Sequence, residues 1–555
     1  MHRNLRSYFL ILSAVVLFSA CSKVPDNAKY IPKDAVAVAG INLRSLGKKI
    51  AWNMITGSKL FKEMQKRMPE KNAKDAISGI EKAGLDVANT FYVYVKTDTR
   101  FKGGNRVTGL IPLSDAGQWE TYVKQVFPQV IITQHGDRKE ASLGVDLYVA
   151  WNKTLLVMTN TMATHSDDDA MESAPQSAPA GKDMTADISA EMDKTFGLAK
   201  EGSIVNNVRF VTLEAEGHDL TFWLNYGLLL TQYSGDVAEK MGGVTLSNSL
   251  WKDAAFTSGF DFIKGKITGD MRYYLPEEMN EVGKEFGAVN IDKDMLDRLP
   301  GQNMDMLIAL HLAPKGVKAL LEKTGLLGLA NVGLSTQGMT ADNILDAVTG
   351  DMAIVMNDFS LTTETVIDSF MGQLVPHKNQ KPAINMTYVI KINNKDNFKK
   401  LMDLAGQNGL QKTSNGYVMP ISDKDSVYLM VSDKYAVVSN KRSYATGFLE
   451  GNLKDHKMPE TAASQIYGHP MSMYFDIQQF FKSIDPGAGN TVQDSVMISE
   501  SRKLISNVAI NGGQFKNSAY EFHLDVNFNN TEENSIIQLI DFGMRMNDAQ
   551  KVAMQ

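Results

Sequence analysis

Apolar and polar positions along this chain alternate with a period of two over many short stretches and with a helical period over others. Runs rich in β-branched and aromatic side chains predict strands over 35–42, 91–96, 107–113, 147–151, 155–159, 210–215, 220–224, 256–263 and 266–274. Apolar residues spaced three and four apart predict helices over 46–55, 60–67, 73–83, 116–127 and 226–241. Connections such as Lys264-Gly265 and Asn152-Lys153-Thr154 leave room only for hairpins, so neighbouring strands run antiparallel. The expected class is α+β, with antiparallel sheets and packed amphipathic helices, rather than a doubly wound parallel sheet.

The same pattern is written twice. The strand ending at Asn42 and the helix after it recur 269 positions later, at His311. The strand at 107–113 with Trp119 beyond it recurs at 387–392 with Phe398, an offset of 279. Leu147-Tyr148-Val149 and the strand after it recur at Val427-Tyr428-Leu429, offset 280, and Gly217-His218-Asp219 recurs at Gly468-His469-Pro470, offset 251. The fall of 29 residues has a source, because the first copy holds a segment at about 163–193 biased toward Ala, Ser, Pro and Asp. That composition cannot bury a core, so a disordered insert is expected there. The reading is a tandem duplication with copies at 30–295 and 296–547 and a tail at 548–555.

The N-terminus carries the most specific motif. Arg3 and Arg6 precede an apolar run from Tyr8 to Phe18, then Ser19-Ala20-Cys21. Positive residues, a short apolar core and small residues at a cut site make a secretory signal peptide, and the run is shorter than the ~20 residues needed to cross a bilayer. The chain has one cysteine, placed directly after the small pair, which fits a bacterial lipobox with Cys21 as lipid acceptor. Residues 1–20 are then the signal and 21–29 a tether. Two or three acyl chains, at ~0.8 kcal/mol per buried CH₂, hold a protein on a membrane almost permanently. Ser22, where inner-membrane lipoproteins often carry Asp, favours outer-membrane delivery; the face of that membrane stays open.

With the lipobox, the tether, the opening Tyr30-Ile31-Pro32-Lys33-Asp34-Ala35-Val36 and its continuation Gly40-Ile41-Asn42-Leu43, the chain resembles the large lipoproteins of Bacteroidota envelopes grouped as a domain of unknown function. The resemblance implies an exported, outer-membrane-associated protein and supplies no catalytic residue. Those bacteria glycosylate Asp-Ser/Thr-aliphatic triplets, which Asp425-Ser426-Val427 and Asp494-Ser495-Val496 match, so Ser426 and Ser495 are candidate O-glycosylation sites.

Composition narrows the functions further. A formal charge of −6 and a pI near 5.9 argue against a nucleic-acid partner, whose phosphates need clustered Lys and Arg. One cysteine excludes a disulfide framework and multi-thiolate metal or iron–sulfur centres. No Gly-Lys-Ser/Thr phosphate loop, His-Glu-x-x-His pair or Gly-x-Ser-x-Gly elbow exists, and no metal or cofactor is expected. His218 and His469 occupy matching places in the two copies and would titrate near neutral pH at a pseudo-twofold interface; a turn histidine is the simpler reading. His165 with Asp167, Asp168 and Asp169 reads as solvated charge rather than a cation loop. Glu277-Glu278 and Glu532-Glu533 sit at helix starts, where the helix dipole favours them. The thirty methionines are dispersed, so core filling explains most, with a methionine-rich binding surface as the lesser alternative. The expected function is a lipid-anchored binding or assembly module with an envelope protein or glycan as partner. The alternative is a hydrolase of envelope glycan or peptide.

Overall fold

The computed structural model describes residues 24–49, 82–97, 105–143, 147–162, 184–231, 251–370, 373–406, 411–413, 416–420, 426–453, 457–482, 484 and 492–553. The chain forms two compact units, Met1–Leu229 with Ala255–Asp261, and Leu230–Ala254 with Phe262–Gln555. The fold is α+β with antiparallel sheets.

The first unit contains β1 (Ala37–Asn42), β2 (Thr90–Thr97), β3 (Asn105–Pro112), β4 (Thr133–His135), β5 (Arg138–Ser142), β6 (Tyr148–Trp151), β7 (Leu155–Met162), β8 (Leu220–Leu224) and β9 (Ala255–Ile263). They pair in the order β4-β5-β6-β7-β3-β2-β1-β8-β9, each antiparallel to its neighbours. One sheet face packs Val38, Tyr92, Tyr94, Leu110, Val157 and Trp223 against Ile204, Phe210, Leu213 and Met192. On the other face Trp119 and Val123 of the helix Ala116–Val126 pack on Val149, Trp151 and Leu156. Asp115 starts that helix by accepting from the Gly117 and Gln118 amides.

The second unit contains β10 (Lys266–Tyr274), β11 (Met304–His311), β12 (Val348–Phe370), β13 (Gln373–Ile392), β14 (Gln411–Thr413), β15 (Gly416–Pro420), β16 (Ser426–Val431), β17 (Tyr435–Ser439), β18 (Met471–Asp476), β19 (Ile505–Lys516) and β20 (Ala519–Phe528). Their order is β14-β15-β16-β17-β13-β12-β11-β18-β19-β20-β10, again antiparallel. Leu307, Ala309, Val355, Val389, Val437, Tyr474 and Ala509 form its main core with Met295, Leu296, Phe448 and Ile466. Phe398 of the helix Lys395–Gly406 packs on Ile392, Leu429 and Ala436 from the opposite side.

Three expectations change. Residues 210–215 are helical, within Val208–Glu216: the Asn207 side chain accepts from the Arg209 and Phe210 amides, Gly217 ends the helix at φ +76°, and Phe210 and Leu213 share the buried side. Val211 and Thr212 gave the stretch its β-like appearance. From Met184 onward the expected insert is a helix, Met184–Phe196, with Met192 buried; residues 163–183 lie outside the described residues. The compact units do not divide at 295, because β10 pairs along its length with β20, from Lys266 opposite Asn527 to Tyr274 opposite Ala519. The predicted helix at 60–67 and most of 46–55, 73–83 and 226–241 also fall outside the described residues.

Candidate binding surface

Successive side chains of a strand point to opposite sheet faces, so each strand in a sheet covered on one side owes half its residues to the core. In the second unit the core half is Leu307 and Ala309 on β11, Ala353 and Val355 on β12, Tyr474 on β18 and Ala509 on β19, none more than 2% exposed. The opposite half is apolar too. Cross-strand register sets it out in three rows: Met352, Leu310 and Met471; Ile354, Ile308, Met473, Ile510 and Leu524; Met356, Met306, Phe475, Val508 and Val526. These side chains are half-buried, Met471 being the exception at 37% exposed. The helix Lys395–Gly406 covers the β13–β17 side of this face, and Phe480 of the helix Ile477–Lys482 packs edge-on against Phe475 with ring centroids 5.2 Å apart, covering the end of the third row.

The first unit repeats the arrangement on its own sheet. Phe91, Ile41, Leu220 and Phe260 form one row, and Val95, Ala37, Leu224 and Phe256 another, with Val93 and Phe222 between them. None of these is buried, while Val38, Tyr92, Tyr94 and Trp223 on the reverse side are. A Leu, Ile, Phe or Met left uncovered forgoes roughly 1.5–3 kcal/mol of burial. A contiguous apolar face of this kind marks a place where a partner or ligand sits.

The rows carry no charged group, and their backbone amides and carbonyls are spent on neighbouring strands. The surface therefore offers contact and desolvation only. Methionine suits it, since three rotatable bonds and a polarizable sulfur adapt to ligands of varied shape.

Polar groups cluster at the sheet margins. In the second unit His311 Nδ1 lies 2.9 Å from Asp351 Oδ1, Thr349 donates to Asp351 Oδ2 at 2.8 Å, and the Asp292 amide donates to Asp351 Oδ1 at 3.1 Å. Burial alone would raise the Asp351 carboxyl; the bonds from His311 and Thr349 outweigh it and hold it below the usual range. His311 and Thr349 line a cleft of about 580 Å³ together with Lys315, Lys318, Asp342 and Asn393. On β20, His523 sits between Asp270 (2.9 Å) and Asp525 (3.0 Å). The bonds to Asp270 and Asp525 push it up to about 9 against the opposing effect of burial.

The two histidines that the sequence offsets pair differ in setting. His218 in the first unit lies 2.7 Å from Asp261 and 3.2 Å from Glu216, beside Lys49 bound to the buried Asp219. The bond to Glu216, then that to Asp261, outweighs burial and lifts its pKa to about 9. In the second unit burial pushes His469 down, with Gln514 Nε2 3.4 Å from its Nδ1. Because the folded pKa of His218 lies above its ordinary 6.5, its charged form stabilises the protein fully below pH 6.5, and this is lost as pH rises through 9. His218→Gln is expected to cost about 2–3 kcal/mol more at pH 6 than at pH 10 in urea unfolding. An equal cost at both pH values would refute the paired imidazolium.

Cys21 lies outside the described residues, as do His165, Asp167, Asp168 and Asp169. Ser426 opens β16 opposite Pro420, and Ser495 lies within the helix Val492–Leu504. Glu277 and Glu278 do begin a helical turn, at Glu277–Met279. Among the described residues no group of three His, Cys, Asp or Glu side chains is placed to hold a metal. The open apolar face was the part sequence reasoning missed. Its signal is that 306–310 and 352–356 are apolar at every position, which in an antiparallel sheet means two apolar faces.

The chain matches no known family model and no curated protein. Among solved structures it is similar to three crystal forms of TP0453. Form III is 9% identical, with 46% of this chain and 80% of that chain covered at a TM-score of 0.22. Form I is 8% identical, with 45% and 79% covered at 0.21. Form IV is 9% identical, with 49% and 89% covered at 0.24. Likeness at this level carries no argument about fold or function.

Proposed function

We propose that this chain is a tandemly duplicated, lipid-anchored lipoprotein of the outer membrane, of the kind found in Bacteroidota envelopes, that works as a binding module through its open apolar sheet faces. The observation that carries the binding role is the half-buried, methionine-rich face of the second unit, with its aromatic and aliphatic counterpart in the first. The lipobox at Cys21 supports the anchor.

Duplication is supported by strand order, since β1 to β9 and β11 to β19 follow one another across their sheets in the same sequence. Buried detail agrees with it. Thr108 and Thr159 pair hydroxyls at 3.3 Å on β3 and β7, as Thr387 and Ser439 do at 3.1 Å on β13 and β17. The Asn42 amide donates to Asp219 O and the His311 amide to Pro470 O, at the positions the sequence offsets pair.

One observation favours the hydrolase alternative: a carboxylate-oriented imidazole, His311 with Asp351, at a cleft. Among the described residues the His311 ring has no hydrogen bond to a Ser or Thr hydroxyl, so the pair is not set beside a serine-type nucleophile.

The anchor is tested by metabolic labelling with a palmitate analogue. The wild-type chain is expected to take up label and sediment with outer membranes, and Cys21→Ser to lose the label. Undiminished labelling of Cys21→Ser would place acylation elsewhere and end the lipobox reading.

A further inference from the structure

The helix Leu326–Ser335 contains no charged residue and no buried one. The charge-free stretch runs from Thr324 to Ala341. Leu329 and Val332, one helical turn apart, are 59% and 68% exposed. A methyl added to Gly328 or Gly333 would meet nothing within 4 Å, so that side is open as well. A helix in water carries a charged face, and one that is apolar on nearly all sides is found buried in protein or in lipid.

Four polar side chains along this stretch bond to the backbone. Thr324 donates to Leu320 O at 2.8 Å, Ser335 to Val332 O at 2.7 Å, and Thr336 to Gly333 O at 3.1 Å. Asn331 Oδ1 accepts from the Ala341 amide at 2.8 Å. Such bonds are needed where water is absent, because hydrocarbon offers hydroxyls no partner.

Ten residues span ~15 Å, well short of the ~20 residues that cross a bilayer. No described helix is long and apolar enough to do so. A helix this short and apolar on nearly all sides can enter one leaflet without crossing the bilayer. Lys323 closes the preceding helix Pro314–Lys323, beside the start of the apolar stretch, where its ammonium reaches headgroup phosphates while its stem stays with the acyl region.

We propose that Leu326–Ser335 is a membrane-docking helix that inserts its apolar side chains into the interfacial layer of a phospholipid bilayer. The choice of a bilayer over a protein groove rests partly on the lipid-anchored reading, which keeps the chain at a membrane. The test uses the chain from Ser22 onward, which keeps every described residue and has no acyl acceptor, floated with vesicles of phosphatidylethanolamine and phosphatidylglycerol. Flotation is expected, and Leu329→Asp with Val332→Asp is expected to lower the bound fraction at least tenfold with thermal unfolding unchanged. Leu329→Trp should show blue-shifted emission on vesicles, quenched by brominated acyl chains. Equal flotation of the Asp variant, or an unshifted tryptophan, overturns the proposal. So does a concentration-dependent dimer that the Asp pair abolishes without any vesicle binding, which would make the helix a contact between copies. Anchoring is read separately: a wild-type chain that takes up no palmitate label, while the chain from Ser22 onward still floats, removes the anchor and leaves the docking helix standing.

Discussion

Met473→Glu is expected to reduce binding of an apolar probe such as dansylaminoundecanoic acid at least tenfold, measured by fluorescence titration of the chain from Ser22 onward. Met473 lies in the longest apolar row, opposite Ile308 on one side and Ile510 on the other. Covering a carboxylate with an apolar ligand leaves it unpaired, which costs more than the ~1.4 kcal/mol that a tenfold change in affinity represents. Folding is expected to lose about 1–3 kcal/mol as well, because the native side chain is half-buried between two isoleucines. The titration is therefore read at a temperature where an unfolding curve shows the variant folded. Ile308→Glu should behave alike. Probe binding that survives both substitutions would exclude this face as the binding surface.

Arg138→Met in the first unit should destabilise it by about 3–5 kcal/mol. Arg138 Nε donates to Glu140 Oε1 at 2.6 Å, both side chains lie almost wholly inside, and the guanidinium also binds Asp193. Tyr148 donates to Glu140 at 2.5 Å and Ser189 at 2.8 Å. Burial would raise the Glu140 carboxyl, but these bonds together with Arg138 hold it below its ordinary range. Without the guanidinium, a buried negative charge keeps two neutral donors and no counter-ion. Glu140→Met added to Arg138→Met is expected to restore most of the stability, since an apolar pair of similar volume avoids the desolvation cost. A single-variant loss under 1 kcal/mol in chemical denaturation would show that the pair is solvated.

The same residues explain what could be read from the chain. Strands dense in β-branched and aromatic residues, or flanked by tight turns, were legible: β1, β2, β3, β6, β7, β8, β9 and β10 fall on predicted stretches within a few residues. β5 was not, because Arg138 and Glu140 face inward as a buried ion pair and so read as surface. β4 is three exposed polar residues whose only support is the pairing with β5. The helix Val208–Glu216 was misread because its cap, Asn207, outweighs the β-branched pair inside it. The repeat was visible in the sequence as matched motifs; the strand order that supports it arises only from pairing. A second apolar face could be read strand by strand, but its methionines could not be brought together: Met306, Met352, Met356, Met471 and Met473 are spread over about 170 positions and meet only when β11, β12 and β18 align. Cys21 stands at the other extreme, a site inferred wholly from sequence.

Methionine oxidation footprinting tests the central claim most directly. Mild peroxide converts accessible methionine to its sulfoxide, so the rate at each position reports cover. Met192, Met295 and Met304, at most 2% exposed, serve as internal references that should resist. In the purified chain from Ser22 onward, Met306, Met352, Met356, Met471 and Met473 are expected to oxidise well ahead of those three. In isolated envelopes carrying the native chain, the same five should be protected severalfold while the references stay unchanged, because the face is occupied in its working setting. Equal oxidation of the five positions in purified protein and in envelopes would mean that nothing covers the face, and would contradict its role as the binding surface.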